Sequence, residues 1–503
     1  MAQAALADGF IKLCIGDSLN FIEGNCRVLL EGQMLSTGAA EPDKIIRVTT
    51  DRTLAALFGA GSVISEALRV ALCACPESVE LYALPREDND AGVAAVYTLT
   101  FTGNATGPGR ATFYLGDAFY NIDFAVMEGD TPTEIAAAFV AEVSPSFPFT
   151  ATAAAGVVTL TAKNAGTVGN HLTPVYNWAG RSGYAPTGVS VAMAQTVQGS
   201  ADPEAPTDYG SVIGECCYSC YGLLTENVAW QTAMRDWIRS AWACDKPQCF
   251  GHGYTYNAGS LGQILATGDN SAEFNRLAVS VNTPILPYLK VANYAALSCC
   301  TGCDNPEVSI QGQTFGLLSC ISQPATCSAE FSNDDVTALR ENGFVVTGPA
   351  TIGTGVLTNP YVYNDVTNYL VDDLGRDNMT FRNTNSRRLA TATAIEIAEK
   401  LQEFNGLGLF TRNTTIREGV QATTPNLMLA DIRTWARDNE GRLFSEFEDI
   451  TRSITLQTDA QFQRRQCTGR PGRLHLNVDY RPPDRIDEIV TNLQPRVLEN
   501  CDR

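Results

Sequence analysis

The spacing most suggestive of chemistry in this chain lies in two cysteine pairs, Cys217-x-x-Cys220 and Cys300-x-x-Cys303. Each pair sets two sulfurs at the separation zinc ligands use, and together they are a weak candidate for a tetrahedral four-thiolate site. The stretch between the pairs is far longer than in a compact zinc ribbon, and the neighbouring Cys216 and Cys299 blur the ligand choice. Late-forming disulfides and buried, inert thiols are the alternatives. The last is favoured, because a free cysteine in a reducing compartment behaves mostly as a small hydrophobe. No metal is therefore assigned.

The rest of the catalytic inventory is thin. The chain has three histidines, His171, His252 and His475, and lacks the nucleophile elbow, the zinc-protease helix and the phosphate-binding loop. Gly59-Ala60-Gly61 begins a dinucleotide fingerprint, but Ile64 stands where its third glycine belongs. It reads instead as a break between two helices. Asp372, Asp373 and Asp377 read as a solvated loop. No catalytic residue and no cofactor is assigned, and an α/β enzyme is the least favoured of the functional alternatives.

Composition narrows the partners. The chain has 503 residues, 45% of them apolar, with a net charge of −20. That is core-forming sequence for two to four domains at about 100–200 residues each. The acidity argues against nucleic acid as a partner. It is unevenly spread: Arg376–Arg503 has a net charge of +1 and the remainder −21. The start lacks a secretory pattern and no apolar run approaches the roughly 20 residues that span a bilayer. The expectation is a soluble chain made in the cytoplasm, with no membrane insertion.

The elements that must position these residues follow from periodicity. Arg27–Glu31, Ile45–Val48 and Val79–Leu84 read as strands alternating with helices over Thr50–Phe58 and Val63–Leu72, which predicts an α/β sheet. From Ala94 to Asp202 the character changes. Tyr97, Leu99 and Phe101 alternate with threonines, and strands Ala111–Leu115 and Phe119–Val126 follow across a Gly116-Asp117 turn. Thr131-Pro132-Thr133-Glu134 is a capping box that starts a helix running to about Val143. Val157–Ala162 and His171–Asn177 are further strands. This is a β-rich α+β unit inserted into an α/β body, and Gly199–Gly210 is its exit linker.

The body resumes with a helix over Val228–Trp242, a strand Leu277–Val281, a Ser332-capped helix Asn333–Glu341, a strand Phe344–Thr347 and a helix Leu389–Phe404. The last segment holds a helix Asn426–Asp438, with Leu427, Ile432 and Trp435 expected to pack it down, and strands Phe447–Gln457 and Arg473–Val478. Ile486–Leu498 reads as an extended strand. Met1–Gly24 is apolar without helix caps and reads as an arm in search of a partner surface.

In sequence order, Arg27-Val-Leu-Leu-Glu-Gly-Gln33, Arg47-Val-Thr-Thr50, Ala56-Leu-Phe-Gly-Ala-Gly-Ser62 and Glu80-Leu-Tyr-Ala-Leu-Pro85 resemble the opening of contractile tail sheath proteins of Mu-like tailed bacteriophages. Tyr97–Gly103, Thr112–Gly116, Gly129–Thr131, Val157–Ala162 and Gly169-Asn170 resemble the insertion of that family. Thr424-Pro425, Phe447-Glu448-Asp449 and Asn477–Asp484 resemble its C-terminal domain and closing strand. The usual Pro-Gly-Val-Tyr start is replaced by Phe10–Gly24, and the cysteine content is high for the family.

The resemblance implies a multidomain tail-sheath-like α/β fold. An N-terminal arm occupies 1–24, the α/β body 25–93 and 203–406, and the outer inserted module 94–202. An inner, tube-facing domain occupies 407–503 and ends in an arm at 485–503. It implies a virion subunit that polymerises with copies of itself around a tail tube protein, meets baseplate and tail terminator proteins, and contracts to drive the tube through the host envelope. Arms of such subunits add strands to neighbouring sheets. Here Phe10, Ile11, Leu13 and Phe21, and Ile486, Ile489, Val490, Leu493 and Val497, would make those contacts. Arg433, Arg437 and Arg442 would face an acidic tube. Another self-assembling virion or surface-layer protein is the runner-up.

Overall fold

The computed structural model describes residues 26–74, 79–115, 120–176, 185–214, 216–241, 249–280, 285–315, 331–348, 351–352, 355–356, 361–372, 374–378, 381–404, 407–409, 415–443, 455–458 and 474–477. The chain divides into two compact units, Met1–Ala398 and Glu399–Arg503.

The first unit is organised by β1 (Arg27–Gln33), six of whose seven residues are buried. A strand whose buried residues run without alternation must be covered on both faces, which is the environment of a parallel sheet between helices. After β1 come β2 (Ile46–Val48) and β3 (Glu80–Arg86). β3 lies parallel to β1, and β2 adds antiparallel to β3 at the edge. Between them runs the Val63–Ala74 helix. Its entry needs glycine: Gly59 and Gly61 have φ of 86° and 77°, and a Cβ on Gly61 would lie 2.2 Å from the Phe147 carbonyl oxygen. This is the helix break expected of Gly59-Ala60-Gly61.

The chain then leaves the sheet. β4 (Val96–Thr102), β5 (Gly109–Leu115), β6 (Asn121–Val126), β7 (Phe149–Ala154), β8 (Val157–Ala162), β9 (Pro174–Tyr176) and β10 (Ser190–Val197) form two antiparallel sheets, ordered β10-β4-β8-β7 and β6-β5-β9. The Pro132–Ala141 helix carries the expected capping box between Thr131 and Glu134. Phe113 sits at the centre, its ring 5.2 Å from Phe139 and 5.9 Å from Phe101. A β-bridge between Val93 and Ser200 closes the segment where it leaves and rejoins the body. It is not set apart, because its apolar residues belong to one hydrophobic cluster with Val28, Leu30, Ile64 and Leu68 of the body.

On its return the chain builds the other half of the main sheet from β11 (Cys220–Leu223), β12 (His252–Gly259), β13 (Phe274–Ser280) and β14 (Phe344–Gly348). A small ribbon of β15 (Thr351–Ile352) and β16 (Gly355–Val356) leads to β17 (Tyr361–Val362). The complete sheet reads β17-β14-β13-β12-β11-β1-β3-β2, with parallel pairing from β14 to β3 and antiparallel strands at both edges. The Val63–Ala74 and Pro287–Asp304 helices pack together on one face. On the other, Ile264, Leu339, Ala278, Phe344 and Val346 form a second small core.

In the second unit, the Pro425–Asp438 helix is capped by Thr424, whose hydroxyl accepts from the Leu427 amide, and begins with Pro425. β18 (Gly408–Leu409) pairs with β19 (Ala422–Thr423), and β20 (Thr455–Thr458) with β21 (Leu474–Asn477).

Candidate functional site

In an open α/β sheet the natural ligand site is the crevice beyond the carboxyl ends of the strands where the winding reverses. Here that point lies between β1 and β11, because the chain winds from β1 to β3 on one side and from β11 to β14 on the other. The inserted segment fills it. Asn164 accepts from the Val63 amide at 3.0 Å and donates to the Met34 carbonyl and to Asp88, each at 3.0 Å. Gln33 at the end of β1 donates to Asp88 at 2.6 Å. His171 lies 3.3 Å from Glu226 just past β11, and Asp202 accepts from Thr167 and Asn227.

Beneath this seam, Glu31 of β1 is 1% exposed. It accepts from Tyr209 at 3.0 Å and from Trp230 at 3.2 Å, with Arg86 3.8 Å away. Desolvation outweighs these partners and pushes its pKa up to about 7. A shallow cavity of about 280 Å³ lies nearby, lined by Asp43, Arg86, Glu87, Asp90 and Glu204 among others.

The most enzyme-like cluster sits at the opposite, amino edge. His252 is 2.7 Å from the Asn275 oxygen. Asn275 in turn donates to Asp365 at 3.0 Å and Thr384 at 2.7 Å, and Tyr294 donates to Asp365 at 2.8 Å. Arg387 donates to the Gly251 carbonyl at 2.7 Å. His252, Asn275, Tyr294 and Asp365 are all 3% exposed or less. Burial, reinforced by Arg387, holds His252 well below its usual pKa, so it stays neutral. This network ties β12 and β13 to two helices.

The candidate zinc sulfurs are not arranged as one site. Cys300 takes part in a disulfide, which removes it as a thiolate donor, and so does Cys26. Cys217 hydrogen-bonds with Cys249, and Cys220 with Cys299. Among the described residues no group of three or more His, Cys, Asp and Glu could hold a metal ion. The reading of cysteines as buried hydrophobes fits Cys220, Cys249 and Cys299, but Cys73 and Cys216 are exposed. Asp372 is a loop-closing group rather than a solvated one: it accepts from the Leu374 and Arg376 amides at 2.9 Å and from the Arg376 side chain at 2.7 Å.

In the second unit the Pro425–Asp438 helix buries Met428, Ile432 and Ala436. The expected anchor Leu427 is instead 52% exposed. The four-residue step from 428 to 432 to 436 defines the inward stripe, and position 427 lies one residue off it. Arg433 and Arg437 are exposed, and Arg442 binds Asn439 just past the helix end at 2.9 Å. The arm residues Phe10, Ile11, Leu13, Phe21, Ile486, Ile489, Val490, Leu493 and Val497, and Cys303's side chain, lie outside the described residues. Among the described residues β20 and β21 pair only with each other.

No protein-family model matches the chain. It is 23% identical over 442 residues to the Mu-like prophage FluMu tail sheath protein of Haemophilus influenzae, a match covering 86% of this chain and 87% of that one. The chain is similar along most of its length to a Mu-like prophage tail sheath protein. A chain in the cryo-EM structure of the anti-feeding prophage baseplate shares its fold, with a TM-score of 0.51, 11% identity and coverage of 97% of this chain and 98% of that one. The sheath tail protein of Desulfitobacterium hafniense aligns at a TM-score of 0.45 and 13% identity over 90% of this chain and 93% of that one.

The seam residues Asn164, Asp88 and Asp202 carry no recognisable motif.

Proposed function

We propose that this chain is the structural subunit of a contractile tail sheath, which polymerises around a tail tube and contracts to drive that tube through a host envelope. The observation that carries this reading is a relationship to a tail sheath protein that runs nearly end to end in both chains. A crevice closed by the chain's own inserted segment supports a structural rather than an enzymatic role. No helix among the described residues is long and apolar enough to cross a membrane.

Polymerisation works through strand addition. A two-stranded ribbon is marginal alone and gains from further strands. β20 and β21 offer such a ribbon, and the arms at 1–24 and 485–503 are the strands supplied to neighbours. The exposed Arg433, Arg437 and Arg442 face the acidic tube. Contraction needs no cofactor: the extended lattice is metastable, and repacking into a shorter, wider helix releases it. Baseplate and terminator proteins hold its two ends.

Electron microscopy of the purified chain at rising concentration tests this. Long tubes of one diameter are expected, and deletion of 486–503 is expected to leave a folded monomer. Closed cages, flat sheets, or normal tubes from the truncated chain would overturn the respective parts of the reading.

A further inference from the structure

The parallel register brings cysteines together that the sequence keeps apart. Cys220, the first residue of β11, lies opposite His252, the first residue of β12. Cys217 and Cys249 each stand three residues before those positions. Two adjacent parallel strands entered at equal offset bring their lead-in residues side by side. The two thiols are hydrogen-bonded to each other. Cys249 is further fixed by its amide, which donates to the Ala241 carbonyl at 2.8 Å, and by the Tyr221 hydroxyl, 3.6 Å from its sulfur. Cys249 is buried, whereas Cys217 is partly exposed.

We propose that Cys217 and Cys249 are a redox-active pair that closes to a disulfide when the folded chain meets a small disulfide oxidant of the oxidised-glutathione class. Cys217 is the sulfur that solvent reaches, so it takes the oxidant. A bond forms between Cys217 and one oxidant sulfur, the oxidant's own S–S bond breaks, and the departing thiolate carries off the Cys217 proton. Cys249 then attacks Cys217, the protein disulfide forms, and the second thiolate leaves with the Cys249 proton. The protein is oxidised by two electrons and the oxidant is reduced to two thiols. The hydrogen bond between the sulfurs holds the Cys249 pKa down, which favours its attack in the second step, and holds the Cys217 pKa up, so the first attack on the oxidant sets the rate. The result is a covalent tie between the lead-ins of two central strands. It does not rest on the assembly role.

The second pair makes an internal control. Cys220 and Cys299 are also hydrogen-bonded, but they are 4% and 2% exposed. An oxidant does not reach either sulfur while the chain is folded.

The test is to incubate the folded full-length chain with oxidised glutathione, block remaining thiols with N-ethylmaleimide, and map peptides by mass spectrometry. The expected result is a loss of about 2 Da, the two thiol hydrogens, with a linkage between the peptides holding Cys217 and Cys249. Cys220 and Cys299 should be blocked only after denaturation. The melting temperature should rise on oxidation by several degrees, and Cys217→Ser and Cys249→Ser should each abolish the rise while Cys216→Ser keeps it. Complete blocking of Cys217 and Cys249 after oxidation would overturn the proposal, as would linkage through Cys216 instead. Should a serine variant fail to fold, the wild-type peptide map decides alone.

Discussion

The two compact units of this chain solve the problem of strand edges differently. In Met1–Ala398 the main sheet has eight strands, its central ones buried on both faces, and its carboxyl crevice is sealed by the chain's own insertion. In Glu399–Arg503 the described strands come in pairs, β18 with β19 and β20 with β21. A wide covered sheet draws its stability from within. A two-stranded ribbon is marginal until something completes it. The contrast sets a sheet completed from within against ribbons that further strands would complete, and it can be broken in four places.

The largest loss of stability is expected from Phe113→Ala. Phe113 is fully buried among four aromatic rings, and removing such a ring costs about 3–5 kcal/mol. Urea denaturation measures it, and a loss below about 1 kcal/mol would mean the inserted segment is not part of the common core.

Next comes pH. Glu31 has its pKa raised from the usual 4.5 to about 7, chiefly by desolvation, which Arg86, Tyr209 and Trp230 only partly offset. The folded chain therefore binds more protons than the unfolded one between those values. The contribution is fully present below pH 4.5 and is lost as the pH rises through about 7, a change of about 3 kcal/mol. Glu31→Gln should flatten the stability profile over that window. An unchanged wild-type slope in the variant would place its origin elsewhere.

A smaller effect is expected at the seam. Asn164→Ala removes three hydrogen bonds, two of them buried, and strands the Val63 amide and the Met34 carbonyl. The expected cost is about 1–3 kcal/mol. Amide hydrogen exchange should report it as faster exchange at Val63 before the main sheet opens. Uniform exchange across the first unit would show that the seam is not a separate step.

The smallest effect on folding, with the largest on assembly, is expected in the second unit. Arg433→Glu with Arg437→Glu should change stability by less than about 1 kcal/mol, since both side chains are exposed. Sheath assembly on tubes should weaken, and in the wild type it should weaken with salt, because charges are screened over about 10 Å at 0.1 M. Decoration of purified tubes by the double variant at the wild-type level would remove these arginines from the tube contact.

Legibility in the sequence followed locality. The capping box at Thr131 and the cap at Ser332 start helices where their residue order says they must. Val157–Ala162, in which Val158, Leu160 and Ala162 alternate with Thr159 and Thr161, is a strand over that same span. The His171–Asn177 strand is displaced: a 3₁₀ turn occupies Thr167–His171, and the strand is Pro174–Tyr176. Elements without a local signature were missed. β12, His-Gly-Tyr-Thr-Tyr-Asn-Ala-Gly, carries only Tyr-Thr-Tyr as a strand signal between glycines, yet seven of its eight residues are buried. Neighbouring strands on both sides and helices on both faces make it a strand. β10 is nearly all exposed and offers no alternation to read. The Pro287–Asp304 helix is apolar on most of its surface, so no stripe marks it.

What the sequence determined by itself was the set of elements that local chemistry can enforce, namely caps, turns and alternating strands, together with the ordered fragments that betray the sheath relationship. The tertiary structure alone decided that β1 sits between β3 and β11, that Asn164 closes the crevice this creates, that Leu427 faces outward, and that Cys217 meets Cys249. Caps and alternation act within a few residues, so a short window of sequence contains both partners. Strand order and register join residues more than a hundred positions apart, and only the burial of the whole core selects among the ways they could meet.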